Sequence, residues 1–156
     1  ASNRAQTELE YKFRAAGQQT RLSFVIIQQR SKIWVGGRLS FERNWTEYEN
    51  GFGDAEEFWV GLRAIHHVTG SSPRQLRVEA VSHSNILYVA EYSHFSVAGS
   101  DTNYVMTYKA YLSGHSNTTG DSLSTHKGMQ FSTMDRDNDK KSGSCSKSPR
   151  LGATQA

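Results

Sequence analysis

The pattern of apolar and polar residues predicts an extended element near the start of the chain. The stretch LSFVIIQQ, residues 22 to 29, puts Phe24 and Ile26 on one side of an extended chain and Val25 and Ile27 on the other. A short run that is largely apolar on both sides is typical of a strand buried on both faces. We therefore predict a buried strand here.

Two short helices are predicted next, each ending at a glycine. In the first, Ser40 is the predicted N-cap, and the apolar residues Phe41, Trp45 and Tyr48 are spaced by four and three. Gly51 and Gly53 mark its end. The second is predicted within EEFWVGLRAIHHVTG and ends at the final glycine of that stretch. Its apolar positions are Phe58, Trp59, Leu62, Ile65 and Val68.

Three strand-like runs follow, and together they predict an antiparallel sheet. They are QLRVEAV at 75 to 81, ILYVAEYSHFSV at 86 to 97 and YVMTYKAYL at 104 to 112. The break AGSDTN between the last two runs has the composition of a hairpin connection. Short helices beside an antiparallel sheet predict the α+β class.

The same pattern suggests a division of the 156 residues. Residues 1 to 21 are polar without a clean period, and we expect them to be a poorly ordered leader. Residues 22 to 145 form the domain, in which Gly and Ser become frequent after Ser113. Residues 146 to 156 are expected to be a flexible tail.

Charge and composition exclude several classes of function. The net charge of +3 comes from 18 basic and 15 acidic residues scattered along the chain, which disfavours nucleic acid as a partner. No window reaches the 18 or so apolar residues of a membrane span, and ASNRAQTELE lacks the apolar core of a signal peptide. No nucleophile elbow, phosphate-binding loop or HExxH motif is present, so we predict no enzymatic activity and no catalytic residues.

Compartment and modification are indicated by a few residues only. A single cysteine, Cys145, leans toward a reducing compartment, whereas the sequons at Asn44 and Asn117 lean toward secretion. Asn117 is the better candidate for glycosylation because it lies in a Gly/Ser-rich loop. His66 and His67 are adjacent and lack acidic or cysteine neighbours, which favours a structural role over a zinc site.

The stretch MDRDNDKKSGSC carries the most distinctive chemistry. Asp135, Asp137 and Asp139 alternate, and like charges so close together need neutralising. Carboxylate oxygens favour calcium as the neutralising ion. Arg136, Lys140 and Lys141 could neutralise the aspartates instead, so a solvated loop without an ion is an equally good interpretation. An EF-hand is excluded, because the position that requires glycine is Lys140 and the position that requires glutamate is Ser146.

Four motifs resemble one known family. NWTEYENGFGDAEEFWVGL, LRVEA, GDSLSTHKGMQFSTMDRDND and GSC follow one another between Phe24 and Cys145 as in the fibrinogen C-terminal (fibrinogen-related) domain. The resemblance implies a central antiparallel sheet with short flanking helices and a long-looped, calcium-binding part. It implies calcium ligands from the side chains of Asp137 and Asp139 and the carbonyls of Lys141 and Gly143, with Asp135 supporting the loop.

The resemblance also implies a function and marks a difference. Its members are secreted, calcium-organised modules that bind carbohydrate, acetylated groups or extracellular proteins in innate immunity, adhesion or matrix, and homo-oligomers are possible in a full-length parent. The family cysteine that pairs with the one matching Cys145 has no counterpart in SKSPRLGATQA, so we predict an unpaired cysteine. The family's ligand-pocket segments lie further on, and the pocket residues are not predicted. The alternative is a truncated structural or interaction fragment that lacks the pocket.

Overall fold

The computed structural model describes residues 8–14, 24–31 and 38–138. Its described strands are β1 (Glu8–Arg14), β2 (Val25–Arg30), β3 (Phe52–Gly53), β4 (Phe58–Trp59), β5 (Arg74–Val81), β6 (Leu87–Val97), β7 (Met106–Thr107) and β8 (Ala110–Tyr111). The helices are α1 (Trp45–Asn50) and α2 (Leu62–Thr69), and 3-10 turns lie at Ser100–Thr102, Ser113–His115 and Ser124–His126.

All described strand pairs are antiparallel and belong to one sheet. The order across it is β3-β4-β2-β1-β5-β6-β7, and β8 pairs with β6. The predicted α+β class with a central antiparallel sheet is therefore confirmed. The break AGSDTN connects β6 to β7 as a hairpin, as predicted.

The expected leader over residues 1 to 21 is wrong for residues 8 to 14. They form β1, which pairs with β2 on one side and with β5 on the other. The stretch ELEYKFR alternates charged and apolar residues at the strand period. Residues 1 to 7 and 15 to 23, and the expected tail at 146 to 156, lie outside the described residues.

The first helix is capped by Asn44 and not by Ser40. Asn44 Oδ1 accepts the Glu47 N–H at 2.9 Å, and Glu47 Oε2 accepts the Asn44 N–H at 3.0 Å, which completes a capping box. Ser40 Oγ instead accepts the Glu42 N–H at 3.2 Å in a local turn. Gly51 ends the helix, as predicted, with a φ of 92° that favours glycine.

The predicted second helix is too long, because Phe58 and Trp59 form β4. This strand pairs with β2 and β3, and the Val60 N–H continues the pairing to Ile27 O at 2.9 Å. Gly61 then turns the chain with a φ of 102°, and α2 follows and ends at Gly70, as predicted. Cross-strand partners outweigh the helical spacing of the aromatic residues.

The predicted strand over 104 to 112 is also interrupted. Only β7 and β8 have strand geometry, because Asn103 and Tyr104 take positive φ values and Tyr108 turns its hydroxyl to Asp121 Oδ2 at 2.6 Å. The predicted strand over 22 to 29 begins at Val25 in the structure. Its predicted burial on both faces holds at Ile27 and Gln28, whereas Val25 is 53% exposed.

The core lies between the sheet and the two helices and is rich in aromatic residues. Tyr48 is fully buried at its centre, and its ring meets the rings of Phe52, Trp59 and Phe131 at centroid distances of 5.1, 5.7 and 5.2 Å. Phe131 belongs to the segment that leads into the aspartate stretch. The core therefore fixes the base of the candidate site.

Candidate functional site

The stretch from Phe131 to Asn138 forms a tight turn on the surface of the core. Thr133 and Arg136 exchange backbone hydrogen bonds of 2.9 and 3.1 Å across the two residues between them. Asn138 closes the base, because its N–H donates to Ser132 Oγ at 3.0 Å and its side-chain amide donates to Phe131 O at 2.7 Å. The turn thus carries its own hydrogen-bond framework.

Asp135 joins this turn to the start of α1. Its carboxylate accepts the Trp45 N–H at 2.9 and 3.2 Å and the Thr133 hydroxyl at 2.7 Å. The Trp45 N–H is one of the donors that the first helical turn leaves without an intrahelical partner. A carboxylate at the N-terminal end of a helix also interacts favourably with the helix dipole. Asp135 therefore fixes the turn against the start of α1, and its supporting role in a calcium loop stays a prediction.

Arg136 adds a second connection between the turn and α1. Its guanidinium carbon lies 4.1 Å from the centroid of the Trp45 ring, and its Nη2 donates to Asn103 Oδ1 at 2.7 Å. A guanidinium over an indole ring gains a cation–π attraction. Arg136 is thus engaged with the fold, in addition to lying between two aspartates in the sequence.

Glu47 contributes a further negative charge near the same helix end. Its hydrogen bond from the Asn44 N–H, and then its contact with Arg43, hold the pKa of this carboxyl below its usual value. Because the pKa is lowered, the charged carboxylate stabilises the fold fully at a pH above the pKa of the unfolded state. This contribution is lost as the pH falls through the folded-state pKa.

The structure describes only one of the four predicted calcium ligands. The Asp137 side chain is exposed and directly follows the framework, whereas Asp139, Lys141, Gly143 and Cys145 lie outside the described residues. Among the residues described, no three His, Cys, Asp or Glu side chains come together as a metal site. An oxygen ligand at Asp137 on an anchored turn fits a hard cation, whose shell would need the oxygens that follow.

We expect Asp135→Ala to destabilise the protein by about 2 kcal/mol, because it leaves a helix N–H and a buried threonine hydroxyl without their acceptor. Thr133 is fully buried whereas Asp135 is exposed, so water replaces only part of the lost hydrogen bonding. Urea unfolding of the parent and the variant measures the change. The control is Glu56→Gln, at an exposed carboxylate away from the turn, and equal stability of Asp135→Ala and parent would contradict the assigned role.

Both glycosylation candidates have side chains with structural tasks. Asn44 caps α1, and it is exposed. Asn117 accepts the Val89 N–H at 2.6 Å and donates to Leu87 O at 2.9 Å, so its amide pairs with β6 like a strand residue. Glycosylation at either position stays a prediction.

Two of the histidines lie in different environments. His66 Nδ1 lies 2.9 Å from Val97 O and ties α2 to the end of β6. His126 Nδ1 is buried without a hydrogen-bond partner among the described residues, beside a mainly apolar cavity of about 70 Å³ in the core. This cavity is lined by core residues such as Leu62, Leu76 and Phe131.

Fold and turn together define a class of protein: an α+β domain built on one antiparallel sheet, with an acidic turn clamped to its first helix. The family described as fibrinogen beta and gamma chains, C-terminal globular domain, matches residues 17–153. The chain belongs to this family. The match extends beyond both limits of the predicted resemblance, Phe24 and Cys145.

Individual relatives agree with this assignment. Ryncolin-4 of Cerberus rynchops is 41% identical over 104 residues, which are 66% of this chain and 29% of that protein. The fibrinogen-like globe domain of human ANGPTL6 superposes with a TM-score of 0.68 at 27% identity, covering 90% of this chain and 64% of that one. Lamprey fibrin D-dimer, solved with the peptide ligand Gly-His-Arg-Pro-amide, gives 0.65 at 31% identity, covering 79% and 42%.

The chain spans between 29% and 41% of the length of three curated relatives that it matches. Within the described part of the chain, no helix has the length and apolar character needed to cross a bilayer.

Proposed function

We propose that this chain is a non-catalytic, extracellular recognition module whose acidic turn is organised by calcium. The ligands of the ion are the side chains of Asp137 and Asp139 and the carbonyls of Lys141 and Gly143. The module binds carbohydrate, acetylated groups or an extracellular protein. Membership of the fibrinogen-related family supports the class of function, and the lamprey relative with its bound peptide supports a role in recognition.

The observation that carries the calcium proposal is the clamp made by Asp135. The Asp135 carboxylate accepts hydrogen bonds from the Trp45 N–H and the Thr133 hydroxyl, and these bonds fix the turn before any ion binds. The ion then does not have to order this part of the turn, which lowers the entropic cost of binding. Two carboxylates in the shell correspond to a dissociation constant of about 0.1–1 mM, which suits extracellular fluid.

Thermal unfolding with calcium or with chelator tests the proposal. Since calcium binds the folded state, a tenfold excess over the dissociation constant raises the free energy of unfolding by about 1.4 kcal/mol. That corresponds to a midpoint about 3 to 5 °C higher for a domain of this size. We expect this rise in the parent and in Glu56→Gln, but not in Asp137→Ala.

Two outcomes would count against the proposal. A midpoint indifferent to calcium in the parent would remove the ion from the function. An equal rise in Asp137→Ala would place the ion elsewhere. If calcium binds but no carbohydrate, acetylated compound or extracellular protein does, the module is a structural fragment without the family's pocket.

A further inference from the structure

A surface cleft, separate from the core cavity beside His126, lies between the end of α2, the end of β6 and the 3-10 turn Ser100–Thr102. Its volume is about 440 Å³, within the range of small-molecule sites. Polar side chains and a few apolar ones share its lining, which includes His66, Ser96, Asp101, Thr102, Val105 and Thr107. All of these residues are described, and none belongs to the acidic turn.

His66 presents a hydrogen-bond acceptor to this cleft. A backbone carbonyl can only accept, so the 2.9 Å contact of Nδ1 with Val97 O requires the proton on Nδ1. In the neutral ring Nε2 then carries the lone pair. The contact also fixes the orientation of the ring, because Val97 is buried at the end of β6.

Asp101 supplies a second acceptor close to the first. A Cβ built on Gly99 would lie 2.6 Å from Asp101 Oδ1 and 3.6 Å from His66 Nε2, so both atoms border the same small space. Within the described residues, no hydrogen bond engages the Asp101 carboxylate, which is exposed. A ligand that enters this space meets one carboxylate oxygen and one imidazole nitrogen.

The two glycines beside the cleft are not required by backbone conformation. Gly70 and Gly99 have φ values of −68° and −76°, which any residue adopts. A Cβ on Gly70 would approach the His66 ring to 2.8 Å, and one on Gly99 would collide with Asp101 Oδ1. Glycine at these positions therefore makes room for the two acceptors.

The chemistry of the lining selects the class of ligand. Two adjacent acceptors call for a ligand with two adjacent donors. The hydroxyls of Ser96 and Thr107 can both donate and accept, whereas the Thr102 hydroxyl donates to Gly99 O at 2.9 Å and is left as an acceptor. Val97 and Val105 offer apolar contact to C–H groups. A metal ion finds no third acidic, histidine or cysteine ligand among the described residues.

We propose that this cleft binds one hexose residue through two neighbouring hydroxyls, which donate to Asp101 Oδ1 and His66 Nε2. The proposal rests on the recognition function proposed above and names a ligand class for it. It does not depend on the acidic turn, so binding here is independent of calcium. A single sugar in an open cleft binds with a dissociation constant on the order of millimolar.

The test is a chemical-shift titration of the ¹⁵N-labelled chain. Methyl glycosides of glucose, galactose and mannose are each added to about 50 mM, well above the expected dissociation constant. We expect at least one glycoside to shift the amide signals of residues 96 to 102, with or without chelator. Gly99→Ala and Asp101→Asn should each weaken this binding at least tenfold, and Glu56→Gln should leave it unchanged.

Each contrary result has a distinct meaning. Signals that do not move with any of the three glycosides would overturn the proposal, as would full binding by both cleft variants. Shifts produced by methylammonium and not by the glycosides would replace the sugar with a cation. Because Asp137→Ala acts on calcium alone, sugar binding that survives in this variant separates the cleft from the calcium site.

Discussion

Tyr48→Ala should destabilise the protein by about 3 to 5 kcal/mol, the range for truncating a buried aromatic side chain. The ring is fully buried and packs edge-on against Phe52 and Trp59. The Tyr48 hydroxyl donates to Phe41 O at 2.8 Å, and alanine removes this bond. The Tyr48 backbone carbonyl, which alanine keeps, accepts the Trp59 indole N–H at 2.9 Å. The loss is a large part of the 5 to 15 kcal/mol that typically separates folded and unfolded domains.

Two further variants keep this prediction interpretable if Tyr48→Ala does not fold. Tyr48→Phe retains the ring and loses only the hydroxyl bond, at a cost of about 1 kcal/mol. Tyr88→Ala removes a tyrosine that is 41% exposed and should cost much less. Chemical denaturation of all three gives the order. Similar losses in Tyr48→Ala and Tyr88→Ala would show that the aromatic cluster is not the centre of the core.

Arg77→Met should cost about 3 kcal/mol, because it leaves a buried carboxylate without its cation. Arg77 Nη1 lies 2.5 Å from Glu91 Oε1, and the Glu91 side chain is only 7% exposed. Gln75 and His115 also contact Glu91, but a neutral amide and an exposed imidazole do not replace a guanidinium. Arg77 Nε also pairs with Glu79 Oε1 at 2.6 Å, so the substitution removes the cation from both carboxylates. Methionine has a similar length, so most of the packing is kept.

Urea unfolding measures this loss, and Arg63→Met serves as the control. Arg63 contacts Glu49 at 3.4 Å, and its side chain is 66% exposed, so removing that pair should cost well under 1 kcal/mol. If both substitutions have the same small effect, the Arg77–Glu91 pair is solvated in solution and contributes little.

Local signals were sufficient wherever an element ends or turns by its own chemistry. Gly51 and Gly70 end their helices as predicted, and β5 and β6 follow their apolar runs. The correct cap of α1 was readable too, because Asn44 is followed three residues later by Glu47, whereas Ser40 is followed by Arg43.

Long-range partners explain what the sequence did not reveal. ELEYKFR is a charged stretch whose place in the sheet depends on β5, more than fifty residues later. Asp135 receives its role from the Trp45 N–H, 90 positions earlier. The cleft at His66 and Asp101 joins a helix end to a turn after β6, and no linear motif describes that meeting.

The central position of β1 sets the order in which the sheet can assemble. β2 and β5 have no described pairing with each other and are joined only through β1. Among the described strands, β1 is made before its two partners, and β5 emerges only after both helices have been made. Until then one side of the strand exposes unpaired N–H and C=O groups, which are a template for another nascent chain. Completion of the sheet around β1 therefore has to wait until β5 has been made.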